Sequence, residues 1–159
     1  MGKIKFNDGN IYEYDTDDCE KAMRLHKICI GFNVSINGSV YIGDSAIIDR
    51  GAKISDGASL GDYVLIGESV IISPNVSIGE RAAVCTGSII LNNAKIGQHS
   101  VLDKRVCIGR QAVIGSYVLI SEGAIVGENF TVADFVKIER DRVIKKGAKL
   151  LGCTYLQNE

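Results

Sequence analysis

Aliphatic residues recur at every sixth position through most of this chain. The series begins at Ile30 and runs without interruption to Leu150. The residue two places before each of them is mostly Ala, Val or Ser, and on a strand it points to the same side. A period of six fits neither an α-helix nor a simple alternating strand. It predicts a short strand with one large and one small inward residue, followed by a tight corner.

The corners carry a second signal. The residue three places after the large aliphatic one is often Gly or Asn, and both tolerate a positive φ. These corner residues are Asn33, Gly51, Gly57, Asn75, Gly87, Asn93, Gly123, Asn129 and Gly147. Three hexads would close one triangular coil, so residues 30–150 predict about seven coils stacked ~4.8 Å apart. The fold class is therefore all-β, a parallel β-helix.

The two ends depart from the repeat. Residues 3–6 and 11–14, joined by the turn 7–10, predict a β-hairpin, and residues 15–18 an N-cap for a short helix over 19–27. An open β-helix end needs such a cover, so residues 1–28 form an N-terminal cap and residues 29–150 the β-helix. Phe130 and Arg142 at inward positions indicate that the helix loses regularity, and residues 151–159 form a tail that covers this end.

The outward residues differ between the three faces of the predicted prism. Face A consists of Cys29, Ile47, Leu65, Ala83, Val101, Leu119 and Lys137, face B of Ser35, Lys53, Ile71, Ile89, Cys107, Ile125 and Val143, and face C of Tyr41, Ser59, Ser77, Lys95, Val113, Thr131 and Lys149. Faces A and B carry apolar stripes larger than a soluble monomer normally exposes. They favour a closed cyclic oligomer in which face A meets face B of the next chain. The alternative is plain β-propensity on a solvated sheet.

One corner stands apart from the others. Between face C and face A, at an edge that we call the CA edge, the corner residues are Ser45, Tyr63, Arg81, His99, Tyr117 and Phe135. Two places before each of the first five lies a Gly, which we expect to relieve the backbone so that the corner residue can be bulky. The resulting ladder either only stabilises the fold by stacking or lines a ligand groove.

Composition excludes several classes of function. A formal net charge of −1 does not favour nucleic acid as a partner, and no apolar stretch approaches a membrane span. The five cysteines are odd in number, with no pair at CxxC spacing, so we expect no zinc or other metal site. With no secretory signal, reduced thiols in a cytoplasmic protein are the expectation.

The hexad pattern resembles the bacterial hexapeptide-repeat transferase family. Segments 42–47 (IGDSAI) and 78–83 (IGERAA) show its aliphatic-Gly-x-x-small-x pattern, and the match covers about three quarters of the chain. The resemblance implies a left-handed coil, a homotrimer, and transfer of an acetyl or other acyl group from acyl-CoA to a small acceptor such as a sugar. Acyl-CoA would then be a co-substrate, with no permanently bound cofactor.

The resemblance also implies where the chemistry lies. Family members generally use a His in the intersubunit groove as general base. His99 on the CA edge is the candidate here, because His26 falls in the predicted capping helix and is expected to be solvated or structural. We expect the acceptor near Tyr63, Arg81 and Tyr117. We expect coenzyme A near Phe135, Lys145 and Lys146, although a solvated basic end is the simpler interpretation of the two lysines.

The sequence departs from the family at two points. Where the sugar-acetylating branch often has its His, this chain has Arg50 and Asn92, and no loop is inserted between coils. Neither side chain can serve as a base near neutral pH. Two functions therefore remain open: an acyltransferase that uses His99, and a non-catalytic scaffold or assembly protein that kept the prism and lost the chemistry.

Overall fold

The computed structural model describes residues 2–151 and, beyond them, the backbone of one further strand at 155–156. The expected C-terminal tail over 151–159 falls largely on residues 152–154 and 157–159, which lie outside the described residues. Within the described part, the expected architecture is confirmed: a left-handed parallel β-helix of about seven coils with an N-terminal cap.

Three parallel sheets form the faces of the prism. Face A contains β3 (Cys29–Ile30), β6 (Ile47–Ile48), β9 (Leu65–Ile66), β12 (Ala83–Val84), β15 (Val101–Leu102), β18 (Leu119–Ile120), β21 (Lys137–Ile138) and β24 (Tyr155–Leu156). Face B contains β4 (Ser35–Ile36), β7 (Lys53–Ile54), β10 (Ile71–Ile72), β13 (Ile89–Ile90), β16 (Cys107–Ile108), β19 (Ile125–Val126) and β22 (Val143–Ile144). Face C contains β5 (Ser39–Ile42), β8 (Ser59–Leu60), β11 (Ser77–Ile78), β14 (Lys95–Ile96), β17 (Val113–Ile114), β20 (Thr131–Val132) and β23 (Lys149–Leu150).

The register repeats from coil to coil. Ile78 pairs with Leu60 on one side and Ile96 on the other, so equivalent residues stack in columns along the prism. The large aliphatic column is almost completely buried, with Ile78 at 2% exposure. Ser88 and Ser100 replace the small inward apolar residue in two hexads. Each hydroxyl donates to a backbone carbonyl and accepts from a backbone N–H, so neither is an unpaired polar group in the core.

The corners turn by a left-handed residue, as the Gly and Asn pattern predicts. The five glycines that lie two places before the CA-edge corner residues were expected to relieve the backbone there. That explanation is wrong. Their φ values are not positive; the bulky corner residues themselves adopt the left-handed conformation. A Cβ on Gly97 would lie 2.4 Å from the carbonyl carbon of Gly115 on the next coil. These glycines are therefore required by the close approach of successive coils, not by backbone torsion.

The cap forms as predicted, with small shifts. Strand β1 (Lys3–Lys5) pairs antiparallel with β2 (Ile11–Glu13) and parallel with β5, so the hairpin extends face C. The helix α1 runs over Asp17–Leu25, and not 19–27, because the Thr16 side chain accepts from the Cys19 N–H and caps it. Ile4 and Phe6 are fully buried and close the end of the core.

The expected loss of regularity near the other end is wrong for the residues that the structure describes. Strands continue in register to β23, and the Phe130 ring is fully buried at its inward position. Arg142 is only half-buried, and β22 and β19 pair regularly beside it. Among the described residues, no helix is long enough to cross a bilayer, since α1 has only nine residues.

Candidate functional site

Five of the predicted site residues lie in one column on the CA edge. The His99 and Tyr117 rings stack with centroids 4.8 Å apart and planes 3° apart, and Tyr117 and Phe135 stack at 5.0 Å and 7°. The Arg81 guanidinium lies 5.1 Å from the centroid of the Tyr63 ring and pairs with Glu80 at 2.9 Å. The column follows from the fold, since equivalent corner residues of successive coils lie one above the other.

The CA edge differs from the other two edges in its choice of left-handed residues. Between faces A and B, four of the seven left-handed corner residues are Gly or Asn, and between faces B and C six of seven are. On the CA edge, none of the six is. Their φ values range from 55° to 62°, a conformation that Gly and Asn adopt most easily. This edge therefore keeps side chains where the backbone disfavours them.

His99 is positioned by stacking. Its ring is half-buried against Tyr117, and its backbone N–H donates to the Glu80 carbonyl. Within residues 2–151, neither ring nitrogen makes a hydrogen bond to a carboxylate or carbonyl. The imidazole can accept a proton, but no neighbouring acid fixes its tautomer, as one commonly does for a catalytic base.

The predicted coenzyme residues do not all lie together. Phe135 belongs to the CA column, whereas Lys145 and Lys146 follow β22 and lie on the edge between faces B and C. The Lys146 ammonium pairs with the Glu128 carboxylate and lowers its pKa. Lys145 is exposed and has no ion pair among the described residues. A single chain therefore does not bring His99 and the two lysines together.

The apolar stripes on faces A and B are present in the folded chain. Leu65 on face A is 43% exposed and Ile125 on face B 45%, with Ile47, Ile71 and Val143 also exposed. In a closed ring that joins face A to face B, the CA edge of one chain and the BC edge of the next flank the same groove. Assembly of that kind would bring the His99 column near the lysines of a neighbour.

Cys85 and Cys107 are poor candidates for a nucleophile. Burial raises the pKa of the Cys85 and Cys107 thiols, with a further contribution from Asp103 at Cys85. Both thiols therefore stay protonated near neutral pH, and a thiolate is the reactive form.

A shallow groove of about 410 Å³ between Phe32 and Arg50 lies on the edge between faces A and B, away from His99.

The second histidine is structural, not solvated, and its partners were not predicted. The His26 side chain is 10% exposed, and it contacts the partly exposed carboxylates of Asp8 in the hairpin and Asp44 in the first coil. The signal that could have found this cluster is the spacing: Asp8, His26, Asp44 and Asp62 are each eighteen residues apart, which is one coil. The cap thus continues the CA edge although it lies outside the aliphatic repeat.

The comparisons with known proteins point to one fold. Residues 44–150 match the protein family described as GMPPB C-terminal domain. No curated protein sequence matches the chain significantly. Among solved structures, a UDP-N-acetylglucosamine acyltransferase from Francisella novicida superposes with a TM-score of 0.74 at 24% identity, over 77% of this chain and 52% of that enzyme.

Two further structures agree with this fold. A GDP-perosamine N-acetyltransferase from Caulobacter crescentus, solved with CoA and GDP-perosamine, gives a TM-score of 0.65 at 17% identity, over 83% of this chain and 58% of that one. A hexapeptide transferase family protein from Anaplasma phagocytophilum gives 0.51 at 17%, over 93% and 77%. The matched part of our chain spans about half the length of the Francisella enzyme. The resemblance to hexapeptide-repeat acyltransferases is confirmed as a shared fold.

Proposed function

This chain belongs to the family of the GMPPB C-terminal domain, and from the fold that it shares with hexapeptide-repeat acyltransferases and the geometry of the CA edge we propose that it is an acyltransferase. It moves an acetyl or other acyl group from acyl-CoA to a small acceptor such as a sugar. The active form is a homotrimer, and His99 is the general base. Tyr63, Arg81 and Tyr117 bind the acceptor, while Phe135, Lys145 and Lys146 bind coenzyme A.

The observation that carries this proposal is the energetic cost of the CA edge. An L-residue in the left-handed conformation costs about 1 kcal/mol or more, so the six corner residues together cost about 6 kcal/mol. Two aromatic stacks and one cation–π contact return about 3 kcal/mol. Stacking alone therefore does not explain why the CA edge carries aromatic rings, whereas a ligand groove lined by these rings does.

The chemistry asks for little from the protein. The acceptor's oxygen or nitrogen attacks the thioester carbonyl while His99 takes its proton. Collapse of the tetrahedral oxyanion then breaks the C–S bond, and the coenzyme A thiolate takes up the proton from His99. An oxyanion needs a hydrogen-bond donor. The backbone N–H groups of His99 and Tyr117 already donate to the preceding coil, so neither is free to be that donor.

The trimer is tested by a charge on the stripe. Leu65→Arg would bury an unpaired cation between faces A and B and should give monomers or aggregates in light scattering. Ser77→Arg makes the same change on face C and should leave the oligomer intact. A wild-type protein that is monomeric at tens of micromolar would contradict the proposed assembly directly.

The second candidate function is a non-catalytic scaffold. It is favoured by the absence, among the described residues, of any hydrogen bond that orients the His99 ring. It is also favoured by the position of Lys146, which is already paired with Glu128. In that case the column is a docking surface or a stabilising ladder, and acyl-CoA has no site.

One titration separates the two functions. Acetyl-CoA should bind the wild-type protein in calorimetry, and Lys145→Gln should weaken binding while Lys95→Gln on face C should not. His99→Ala should leave binding nearly intact and lower acetyl transfer by about 10²–10⁴-fold, the usual contribution of a general base. The transfer assay would use acetyl-CoA with a panel of amino and hydroxyl sugars. No binding at millimolar acetyl-CoA would exclude the enzyme and leave the scaffold.

A further inference from the structure

The N-terminal cap is fastened to the first coil through the side chain of His26. This residue is the C-cap of α1, its side chain is 10% exposed, and its ring stacks on Phe6 with centroids 5.1 Å apart. The His26 carbonyl accepts the Ser45 N–H, just as the Asp44 carbonyl accepts the Tyr63 N–H one coil later. His26 therefore occupies the position of Asp44, one residue before the CA corner, in an incomplete coil that the cap provides.

The His26 ring lies between two carboxylates. Its Nδ1 is 2.7 Å from Asp44 Oδ1, and its Nε2 is 3.5 Å from Asp8 Oδ2. The Nε2 atom is buried and has no hydrogen-bond partner at normal distance. A neutral imidazole carries one N–H and would turn a lone pair towards one of the carboxylates. The imidazolium has an N–H for each, and the C-terminal end of α1 adds a favourable dipole.

The polar groups around the ring are predominantly acidic. Asp62 accepts the backbone N–H of Asp44 at 2.8 Å and the Asn7 amide at 2.9 Å. The Tyr41 hydroxyl donates to the Asn7 carbonyl oxygen. The titratable groups that face this cluster are thus Asp8 from the hairpin turn, Asp44 and Asp62 from two corners, and Tyr41 from β5. Only His26 among them supplies a positive charge.

The carboxylates keep their charge well below neutral pH. Hydrogen bonds from the Asn10 backbone and side chain, and then from His26, lower the pKa of Asp8. The nearby Asn7 amide and then His26 lower the pKa of Asp44. Groups with a lowered pKa stabilise the fold fully above their unfolded values and lose that contribution as the pH falls through their folded values.

We propose that His26 is a proton-controlled latch for the N-terminal cap: its imidazolium bridges Asp8 and Asp44, and loss of the proton makes opening of the hairpin from the first coil more frequent. The latch is closed at lower pH and opens as the pH rises through the titration of the ring. The hairpin tip reaches Asp62, next to the first ring of the CA column, Tyr63. Opening therefore uncovers the edge of β5 and one end of that column.

Amide hydrogen exchange measures the latch at the contacts that cross between cap and coil. The Lys3 N–H donates to the Gly38 carbonyl and the Ser45 N–H to that of His26, whereas the Ala83 N–H lies in mid-prism and serves as reference. Protection factors, corrected for the intrinsic pH dependence of exchange, should fall roughly 10- to 100-fold for Lys3 and Ser45 between pH 6 and pH 8.5, the contribution of one charge-assisted hydrogen bond. Ala83 should not change.

The chain offers a matched control, because His26 and His99 are its two histidines. His26→Gln should give low, pH-independent protection of Lys3, and His99→Gln should keep the wild-type pH response. Asp8→Asn, which keeps the histidine, should lower Lys3 protection at pH 6 and serves if His26→Gln fails to fold. Nitrogen-15 spectra of the two rings report their protonation separately.

Three results would overturn the proposal. The first is constant Lys3 protection across a range in which the His26 ring has titrated. The second is a His26 ring that keeps its proton up to pH 9. The third is a pH response that disappears in His99→Gln or survives in His26→Gln. None of these measurements depends on acyl transfer, so the latch stands or falls independently of the proposed activity.

Discussion

Replacement of Ile78 by Ala tests the register of the core most directly. Ile78 lies in β11, is 2% exposed, and is held between Leu60 and Ile96 of the neighbouring coils. The substitution removes three carbon atoms, which is about 2.4 kcal/mol of transfer free energy at about 0.8 kcal/mol per carbon. Because hydrogen bonds on both sides hold β11 in place, the prism cannot collapse onto the cavity. The total loss should therefore reach roughly 3–5 kcal/mol.

The control is the preceding residue of the same strand, Ser77. Ser77 is exposed on face C, so Ser77→Ala should change the free energy of unfolding by less than about 0.5 kcal/mol. Both variants are unfolded in urea at one fixed protein concentration, because an oligomer's stability depends on concentration. Equal midpoints for the two variants would show that Ile78 does not point into the core and would refute the assigned register.

Two further predictions concern the corners. Gly97→Ala places a Cβ against the backbone of Gly115 and should lower stability by about 1–3 kcal/mol, so an unchanged melting temperature would contradict the close-approach explanation of these glycines. Gln111 has a φ of 57°, so Gln111→Asn should raise stability by up to about 1 kcal/mol, while Gln98→Asn, one place before a left-handed corner residue, should not. A gain in Gln98→Asn equal to that in Gln111→Asn would remove the torsional reason.

The fold could be predicted because its physical cause is visible along the chain. Each hexad repeats the same requirement, one large and one small inward residue and a left-handed corner, so independent segments agree with one another. Phe130 at an inward position predicts a loss of regularity, yet its ring is fully buried there. Spacing identifies a position as inward but does not give the space available at that coil.

The candidate site could be predicted only in part. The column of Tyr63, Arg81, His99, Tyr117 and Phe135 follows from the spacing, and its stacking is confirmed. The reason for the neighbouring glycines could not be predicted, since a Gly required by torsion and one required by close approach look the same in a sequence. Lys145 and Lys146 lie on the edge between faces B and C, and the count of three hexads per coil already predicts that position.

The His26 cluster shows why a cap is harder to interpret than a coil. Aliphatic periodicity identifies a coil, and residues 2–28 have none, so Asp8 and His26 gave no signal of that kind. They do keep the eighteen-residue spacing to Asp44, and Lys27 adopts a φ of 56° like the corner residues that follow it. The corner geometry of the CA edge therefore extends into the N-terminal cap, beyond the aliphatic repeat from which the coils are predicted.

A regular fold of this kind leaves its outward residues almost free, and that freedom is what makes the CA edge informative. Folding requires an aliphatic core and a left-handed corner, and both are satisfied most cheaply by Gly or Asn at the turn. This sequence follows that preference at most coils of two edges and departs from it at every coil of the CA edge, so stability alone does not account for the choice. Departures from local preference that persist without a compensating gain in packing are typical of functional surfaces. The same reasoning assigns no role to Gln111, because it is the single exception among the left-handed residues between faces B and C.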